Sequence, residues 1–186
     1  HHTQPLVISV AAGITTAQMQ DWLQQPSAVI RTMPNTPAAI GQGAIGMFAN
    51  GQVTSEQRSL CEQIMDAVGT SVWVTEETDM DIVTALSGSG PAYFFMFIQA
   101  LQNAAEELGL SAENARLLTQ QTAVGATLLA ERSDRPISEL IEQVTSPQGT
   151  TYAALSQFNQ LQIDDIVKQA VTAAWQRSAE LSADSD

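Results

Sequence analysis

Ser87-Gly88-Ser89-Gly90-Pro91 stands inside a run of apolar residues that recurs at three- and four-residue spacing from Val83 to Leu108. This spacing predicts one helix of about 26 residues, ~40 Å long at ~1.5 Å per residue. Glycines at ~0.5–1 kcal/mol each and a proline at ~3 kcal/mol disfavour a regular helix at this point. We therefore expect a kinked helix in close contact with another backbone or a ligand. The alternative is a loop between two shorter helices.

The chain follows different periodicities on the two sides of Thr75. Before it, Leu6-Val7-Ile8-Ser9-Val10 and Ala28-Val29-Ile30-Arg31-Thr32-Met33 are apolar runs typical of buried strands, with a helical pattern between them. This order predicts a right-handed crossover in a parallel sheet. After Thr75 only helical periodicity remains. We therefore predict an α/β domain over residues 5–75 and an all-helical domain over residues 76–182.

The loop Met33-Pro34-Asn35-Thr36-Pro37 directly follows the second predicted strand. Its two prolines stiffen the backbone at the carboxyl end of that strand. Open α/β sheets usually bind ligands at this edge, so the loop is a candidate ligand site. The alternative is a rigid connector without a ligand.

A second candidate site is the loop Gln143-Val144-Thr145-Ser146-Pro147-Gln148-Gly149-Thr150-Thr151. Its Pro, Gly, Ser and Thr residues predict a loop that leads into a helix start. A helix start presents unpaired backbone N–H groups and the positive end of the helix dipole, so it can hold a carboxylate without Lys or Arg. The alternative is an ordinary N-cap formed by a Ser or Thr side chain.

The composition argues against several classes of function. Lys and Arg total 7 against 20 Asp and Glu, and the formal net charge of −13 argues against nucleic-acid binding and a polybasic membrane surface. No apolar run reaches transmembrane length. Cys61, the one cysteine, favours a reducing, cytoplasmic setting. His1-His2, interpreted as a tag remnant, are the only histidines, so neither a metal site nor a histidine-based triad is predicted.

The acidic pair Glu76-Glu77 stands at a predicted helix start. Carboxylates at this position interact favourably with the helix dipole, which is a simpler role than that of an acid/base dyad. We therefore expect both residues to be dipole partners of the helix that follows them.

Four motifs occur in order along the chain, namely Ala11-Ala12-Gly13, Met33-Pro34-Asn35-Thr36-Pro37, Ala85-Leu86-Ser87-Gly88-Ser89-Gly90-Pro91-Ala92-Tyr93, and Val144-Thr145-Ser146-Pro147 with Gly149-Thr150-Thr151. Together they resemble one enzyme family, pyrroline-5-carboxylate reductase. The resemblance extends from about Pro5 to about Leu181. It implies a fold that is α/β plus all-α, in which a partial Rossmann-type parallel sheet is followed by an all-helical dimerisation domain.

The resemblance also implies a reaction, the NADPH- or NADH-dependent reduction of the cyclic imine 1-pyrroline-5-carboxylate to L-proline. It assigns the nicotinamide end of the cofactor to Ala11, Ala12, Pro34, Asn35 and Thr36. It assigns the substrate carboxylate and ring nitrogen to Ser146, Gly149, Thr150 and Thr151, with Thr151 as the catalytic hydroxyl. In the family the substrate loop comes from the subunit opposite the one that holds the cofactor. A homodimer through the helical domain, or a larger assembly, is therefore expected.

The chain departs from the family pattern at two places. It has no G-x-G-x-x-G-type turn for the pyrophosphate, so we expect a fragment that lacks the first half of the Rossmann domain. Such a fragment would have an exposed sheet edge and would bind dinucleotide weakly or not at all. Gln148 stands where the family most often has Gly, and it would be strained if φ is positive there.

Two other interpretations are compatible with the sequence. A related Rossmann oxidoreductase could act on another imine or on a hydroxy acid. Those enzymes commonly use a Lys as the acid, and Lys168, the one lysine, lies outside any such motif. A non-catalytic homodimerisation module would use the long helix and the small-residue faces for self-association only.

Overall fold

The computed structural model describes residues 5–183. His1-His2, interpreted as a tag remnant, lie outside the described residues. The acidic, Ser-rich sequence after Leu181 predicts a frayed end. The chain is helical as far as Ala183, and the rest of this segment lies outside the described residues.

Four strands of the described chain form one sheet in the order β1-β2-β3-β4. The strands are β1 (Val7–Ser9), β2 (Val29–Met33), β3 (Gly43–Ala49) and β4 (Gly69–Trp73). The β1–β2 and β3–β4 pairs are parallel. Helix α1 (Thr16–Leu23) connects the first pair and helix α2 (Ser55–Asp66) connects the second. Parallel neighbours need such crossovers, so the predicted strand-helix-strand unit is confirmed.

The β2–β3 pair is antiparallel, with Ile30 opposite Ala49 and Met33 opposite Gly46. The predicted fold class is confirmed, but the sheet is mixed, so the expectation of a parallel sheet was wrong at this pair. The connection is a 3₁₀-helix (Thr36–Ile40) that ends at a glycine in the left-handed region. Because a connection this short cannot cross over the sheet, β3 returns antiparallel to β2.

Helices α1 and α2 begin at capping boxes, as their Thr-x-x-Gln spacing predicts. Thr15 Oγ1 accepts a hydrogen bond from the Gln18 N–H (3.2 Å), and Gln18 Oε1 accepts one from the Thr15 N–H (2.8 Å). Thr54 and Gln57 make the same two bonds at 3.3 and 2.9 Å. These bonds satisfy otherwise unpaired N–H groups and so fix where each helix starts.

The main hydrophobic core lies between the sheet and α2. Ile30, Ile45 and Met47 of the sheet and Cys61 of the helix are all at most 1% exposed, and Met65 completes the cluster. Burial, with a smaller contribution from the charge of neighbouring Glu62, raises the pKa of the Cys61 thiol. Cys61 therefore acts as a small apolar core residue that stays protonated at neutral pH.

The long apolar run forms an interrupted helix. Helix α3 (Asp79–Val83) passes into a π-helical segment (Thr84–Gly88) and then into α4 (Gly90–Glu107). A Cβ atom added to Gly88 would lie 2.7 Å from Met33 Cε, so glycine permits this approach. The expected interruption at a close contact is confirmed, but the contact is with the Met33 side chain at the end of β2 and not with another backbone or a ligand.

The remaining described chain is helical. The elements are α5 (Ala112–Glu131), α6 (Ile137–Gln143), α7 (Thr150–Gln160) and α8 (Ile163–Ala183). The chain forms two compact units, one made of the residues up to Pro91 with those from Gln169, and one made of Ala92–Lys168. We call them the sheet unit and the helical unit. The predicted domain limits, 5–75 and 76–182, stay a prediction.

The helical unit buries very little of its apolar surface. The structure describes all of Ala92–Lys168, and Ala115 alone is buried in that range. Large apolar side chains on α4 and α5 are at least 37% exposed, namely Phe94, Phe95, Met96, Phe97, Leu101, Leu117, Leu118, Val124, Leu128 and Leu129. Among the described residues, this unit therefore has no extensive core of its own.

Candidate functional site

Helix α7 begins without a side-chain cap. Its N-cap residue is Gly149, with φ −79° and ψ 176°, and no side chain accepts a hydrogen bond from the first-turn N–H groups. The Ala153 N–H donates to the Gly149 carbonyl at 3.1 Å, which starts the helical ladder. The alternative of an ordinary Ser or Thr N-cap is therefore wrong. The first-turn N–H groups face a position that a ligand oxygen can take.

The turn before α7 is tight and strained. The Gly149 N–H donates to the Ser146 carbonyl at 3.0 Å across Pro147 and Gln148. Gln148 has φ +59°, and a proline followed by a residue with positive φ is typical of a type II turn. Positive φ suits glycine, and a side chain there costs roughly 1–2 kcal/mol. The strain expected for Gln148 is confirmed.

Three hydroxyl side chains surround this helix start. Ser146 and Thr150 are exposed and Thr151 is half-buried. A Cβ atom on Gly149 would collide with Ser146 Oγ, so the absence of a side chain there lets the Ser146 hydroxyl lie over the helix start. Within residues 5–183, these three hydroxyls have no hydrogen-bond partner. They are available to a ligand.

The electrostatics of the α7 start favour an anion. The first turn carries no acidic residue, and the nine residues of the candidate loop include no Lys or Arg. Any attraction for a carboxylate therefore comes from the backbone N–H groups and the helix dipole, about half an elementary charge at the N-terminus. This local attraction is needed because the chain as a whole, with a formal net charge of −13, repels anions.

The predicted cofactor residues lie at one edge of the sheet. Ser9 of β1 lies opposite Arg31 of the parallel strand β2, so both strands end at the same edge. Thr32 Oγ1 donates to the Ser9 carbonyl at 3.0 Å and fastens the two strand ends together. Ala11 and Ala12 follow β1 and are exposed, so small side chains leave the surface above this edge open.

The loop after β2 is less exposed than Ala11 and Ala12. Pro34 and Asn35 are half-buried and Thr36 is exposed. The Asn35 side chain contacts protein at both ends of its amide, with its Nδ2 donating to the Ser87 carbonyl and its Oδ1 accepting from the Ala44 N–H, each at 3.0 Å. The structure thus brings Ala11 and Ala12 to the same sheet edge as the 34–36 loop, while the substrate-loop residues belong to the helical unit.

Sequence reasoning missed the role of Glu77. Its carboxylate accepts hydrogen bonds from the Thr16 N–H (2.7 Å) and the Thr16 hydroxyl (2.8 Å), and it forms a salt bridge with Arg31 (2.9 Å). The Glu77 carboxylate therefore interacts with the start of α1, and only its backbone carbonyl bonds to the helix that follows it. The signal was Arg31, a cation inside an otherwise apolar strand, because a buried cation requires a partner.

Among residues 5–183, no group of three or more His, Cys, Asp or Glu side chains is arranged to hold a metal ion. Within the same range, no helix has the length and apolar character needed to cross a membrane.

The sequence matches a known family over its helical part. The family model for pyrroline-5-carboxylate reductase dimerisation matches residues 77–181. Pyrroline-5-carboxylate reductase of Pseudomonas aeruginosa is 50% identical over 179 residues, which are 96% of this chain and 66% of that protein. The Pasteurella multocida enzyme is 44% identical over 180 residues, again 96% of this chain and 66% of that protein.

Solved structures of the same family are also similar to this chain. A pyrroline-5-carboxylate reductase from Coxiella burnetii aligns with a TM-score of 0.94 and 45% identity, over 97% of this chain and 67% of that one. The Plasmodium falciparum pyrroline carboxylate reductase, solved with NADP bound, gives 0.88 and 32% identity, over 95% and 71% of the two chains. This chain thus spans about two thirds of the length of its relatives. The resemblance carried by the four motifs is confirmed, and the chain belongs to the pyrroline-5-carboxylate reductase family.

Proposed function

We propose that the protein containing this chain reduces 1-pyrroline-5-carboxylate to L-proline with NADPH or NADH. The observation that carries the proposal is the start of α7, an uncapped helix N-terminus with three hydroxyls that have no partner within residues 5–183 and with no acidic residue in its first turn. A cyclic imine with a carboxylate has the complementary groups. Membership of the family supports the same reaction.

In this proposal the α7 start binds the substrate carboxylate. The N–H groups of Thr150 and Thr151 and the hydroxyl of Ser146 would donate to its oxygens, while Gly149 keeps the approach open. The Thr151 hydroxyl would accept a hydrogen bond from the protonated ring nitrogen. This orients the C=N bond without a general acid, because the iminium already carries the proton that the amine product keeps.

The edge of the sheet would bind the nicotinamide end of the cofactor. The exposed, small side chains of Ala11 and Ala12 and the rigid loop Pro34-Asn35-Thr36 fit a flat ring placed over this edge. When bound, the reduced nicotinamide supplies the hydride that the imine carbon receives. The glycine-rich turn that would hold the pyrophosphate is not among the residues of this chain.

The assembly follows from the exposed faces of α4 and α5. We propose that a second copy covers them, that the helical dimerisation domain is residues 76–182, and that residues 5–75 belong to the cofactor domain. The dimerisation family match over residues 77–181 supports this division. In the dimer, the substrate loop of one subunit would complete the site of the other. The buried Cys61 and the biosynthetic reaction favour the cytoplasm as the location.

The test is an assay of the full-length protein with 1-pyrroline-5-carboxylate and each nucleotide. Thr151→Val keeps the shape of the side chain and removes its oxygen, so we expect kcat/KM to fall by about 10- to 100-fold. Thr151→Ser keeps the oxygen and should retain activity within about tenfold of wild type. Wild-type protein that oxidises neither NADPH nor NADH with this substrate would refute the proposal.

A further inference from the structure

Asn35 is the middle residue of Pro34-Asn35-Thr36, which we call the cofactor loop. Both ends of its side-chain amide bond to protein atoms. We infer that Asn35 is a positioning residue. Its side-chain amide bonds to the interruption before α4 and replaces the N–H that Pro91 lacks. Asn35 thereby holds the cofactor loop in position and controls nucleotide binding without contacting the nucleotide through its side chain. The inference deepens the proposed function and rests on it for the identity of the ligand.

Both ends of the Asn35 side-chain amide bond to backbone groups of other segments. Asn35 is the N-cap residue of the 3₁₀-helix (Thr36–Ile40), where Asn commonly caps its own helix, but it makes no such bond. Its Nδ2 donates to the Ser87 carbonyl and its Oδ1 accepts from the Ala44 N–H, each at 3.0 Å. A backbone carbonyl only accepts and a backbone N–H only donates, so this orientation of the amide is the one that satisfies both.

The Ser87 carbonyl needs a partner from outside its own helix. In an α-helix the carbonyl of a residue accepts from the N–H four positions later, which for Ser87 is position 91. Pro91 has no N–H, and the preceding π-helical bond, from the Ser89 N–H to the Thr84 carbonyl (2.9 Å), does not involve Ser87. The Asn35 amide therefore supplies the donor that the proline removes.

The Met33 side chain packs against Gly88 beside these hydrogen bonds. Met33, two residues before Asn35, approaches Gly88 so closely that a Cβ atom there would be 2.7 Å from Met33 Cε. The loop is thus fixed to the interruption by an apolar contact and a hydrogen bond, and to β3 through Ala44. Thr36, the next residue, is exposed, and its hydroxyl has no hydrogen-bond partner within residues 5–183. Asn35 faces the protein while Thr36 is left for a ligand.

Two variants of the full-length protein separate the bonds of Asn35. Asn35→Asp keeps the acceptor for the Ala44 N–H and removes the donor to Ser87, whereas Asn35→Ala removes both. The Ser89 N–H lies in the interruption that the bond to Ser87 holds, so its hydrogen exchange should accelerate about tenfold in both variants. The Ala44 N–H loses its acceptor only in Asn35→Ala, so its exchange should accelerate only in that variant. Equal protection of both amides in wild type and Asn35→Ala would overturn the inference.

The functional readout is the Kd of NADPH and of NADH at a temperature where every variant is folded. Asn35→Asp should raise Kd about tenfold. Pro91→Ala restores an N–H for Ser87, so adding Asn35→Asp to Pro91→Ala should change Kd by less than about threefold. An unchanged Kd in Asn35→Asp, or a full effect in the Pro91→Ala background, would overturn the inference. If wild type binds neither nucleotide, the proposed function fails, while the exchange measurement still decides the role of Asn35.

Discussion

The sheet unit and the helical unit differ in how far they bury their apolar side chains. Ile30 and Met47 of the sheet unit are fully buried, whereas Phe94 and Leu118 of the helical unit are 63% and 60% exposed. The sheet unit builds a core within one chain. The helical unit leaves much of its apolar surface exposed, which supports its role as a dimerisation element.

The two units also differ in how they treat polar groups. In the sheet unit, Glu77 pairs with Arg31 and accepts hydrogen bonds from Thr16 at the start of α1, and both ends of the Asn35 amide bond to protein atoms. In the helical unit, the start of α7 has no side-chain cap. The first arrangement holds a surface in place, and the second leaves hydrogen-bonding groups free for a ligand.

The largest effect is expected where the helical unit lacks a core. Phe94→Glu places a charge on the exposed face of α4, and burying it unpaired in a dimer should raise the dimer Kd by about 100-fold or more. Gln99→Glu adds the same charge on an already polar, exposed position of the same helix and should have little effect. Sedimentation velocity over a concentration series measures both. Equal dimer stability in the two variants would contradict the role of this face.

The next effect concerns the charge pair of the sheet unit. Glu77→Ala leaves Arg31 buried without a counter-charge and α1 without an acceptor for Thr16, so the free energy of unfolding should fall by about 2–3 kcal/mol. Glu76→Ala, at an exposed neighbouring position, should change it by less than about 0.5 kcal/mol. Urea unfolding gives both values. A cost for Glu77→Ala no larger than that of its neighbour would show that the pair is not stabilising.

A smaller effect, of opposite sign, is expected in the substrate loop. Gln148→Gly removes a side chain at φ +59° and should raise the free energy of unfolding by about 1 kcal/mol. Gln157→Gly, inside α7, should lower it by about 1 kcal/mol. Thermal unfolding of the two variants compares them directly. Destabilisation by Gln148→Gly would show that the side chain makes contacts that outweigh the strain.

Features set by neighbouring residues could be predicted from the sequence. The capping boxes at Thr15 and Thr54 depend on bonds across three residues, and the strain at Gln148 depends on its own turn. The antiparallel β2–β3 pair was missed because it depends on how a short 3₁₀ connection turns. The Glu77–Arg31 and Asn35–Ser87 contacts were missed because the two residues of each pair lie 46 and 52 positions apart along the chain.

The central claim is that one subunit supplies the sheet edge and the other supplies the α7 start. Full-length protein carrying Ala12→Glu would bind nucleotide poorly, because an added carboxylate faces an anionic cofactor, and Thr151→Val would lose the substrate contact. Co-expressed with different tags and purified as the heterodimer, the two variants leave one site with both halves intact. We predict about half of wild-type activity per dimer, since a symmetric dimer has two equal sites. A heterodimer no more active than either parent variant would contradict the claim.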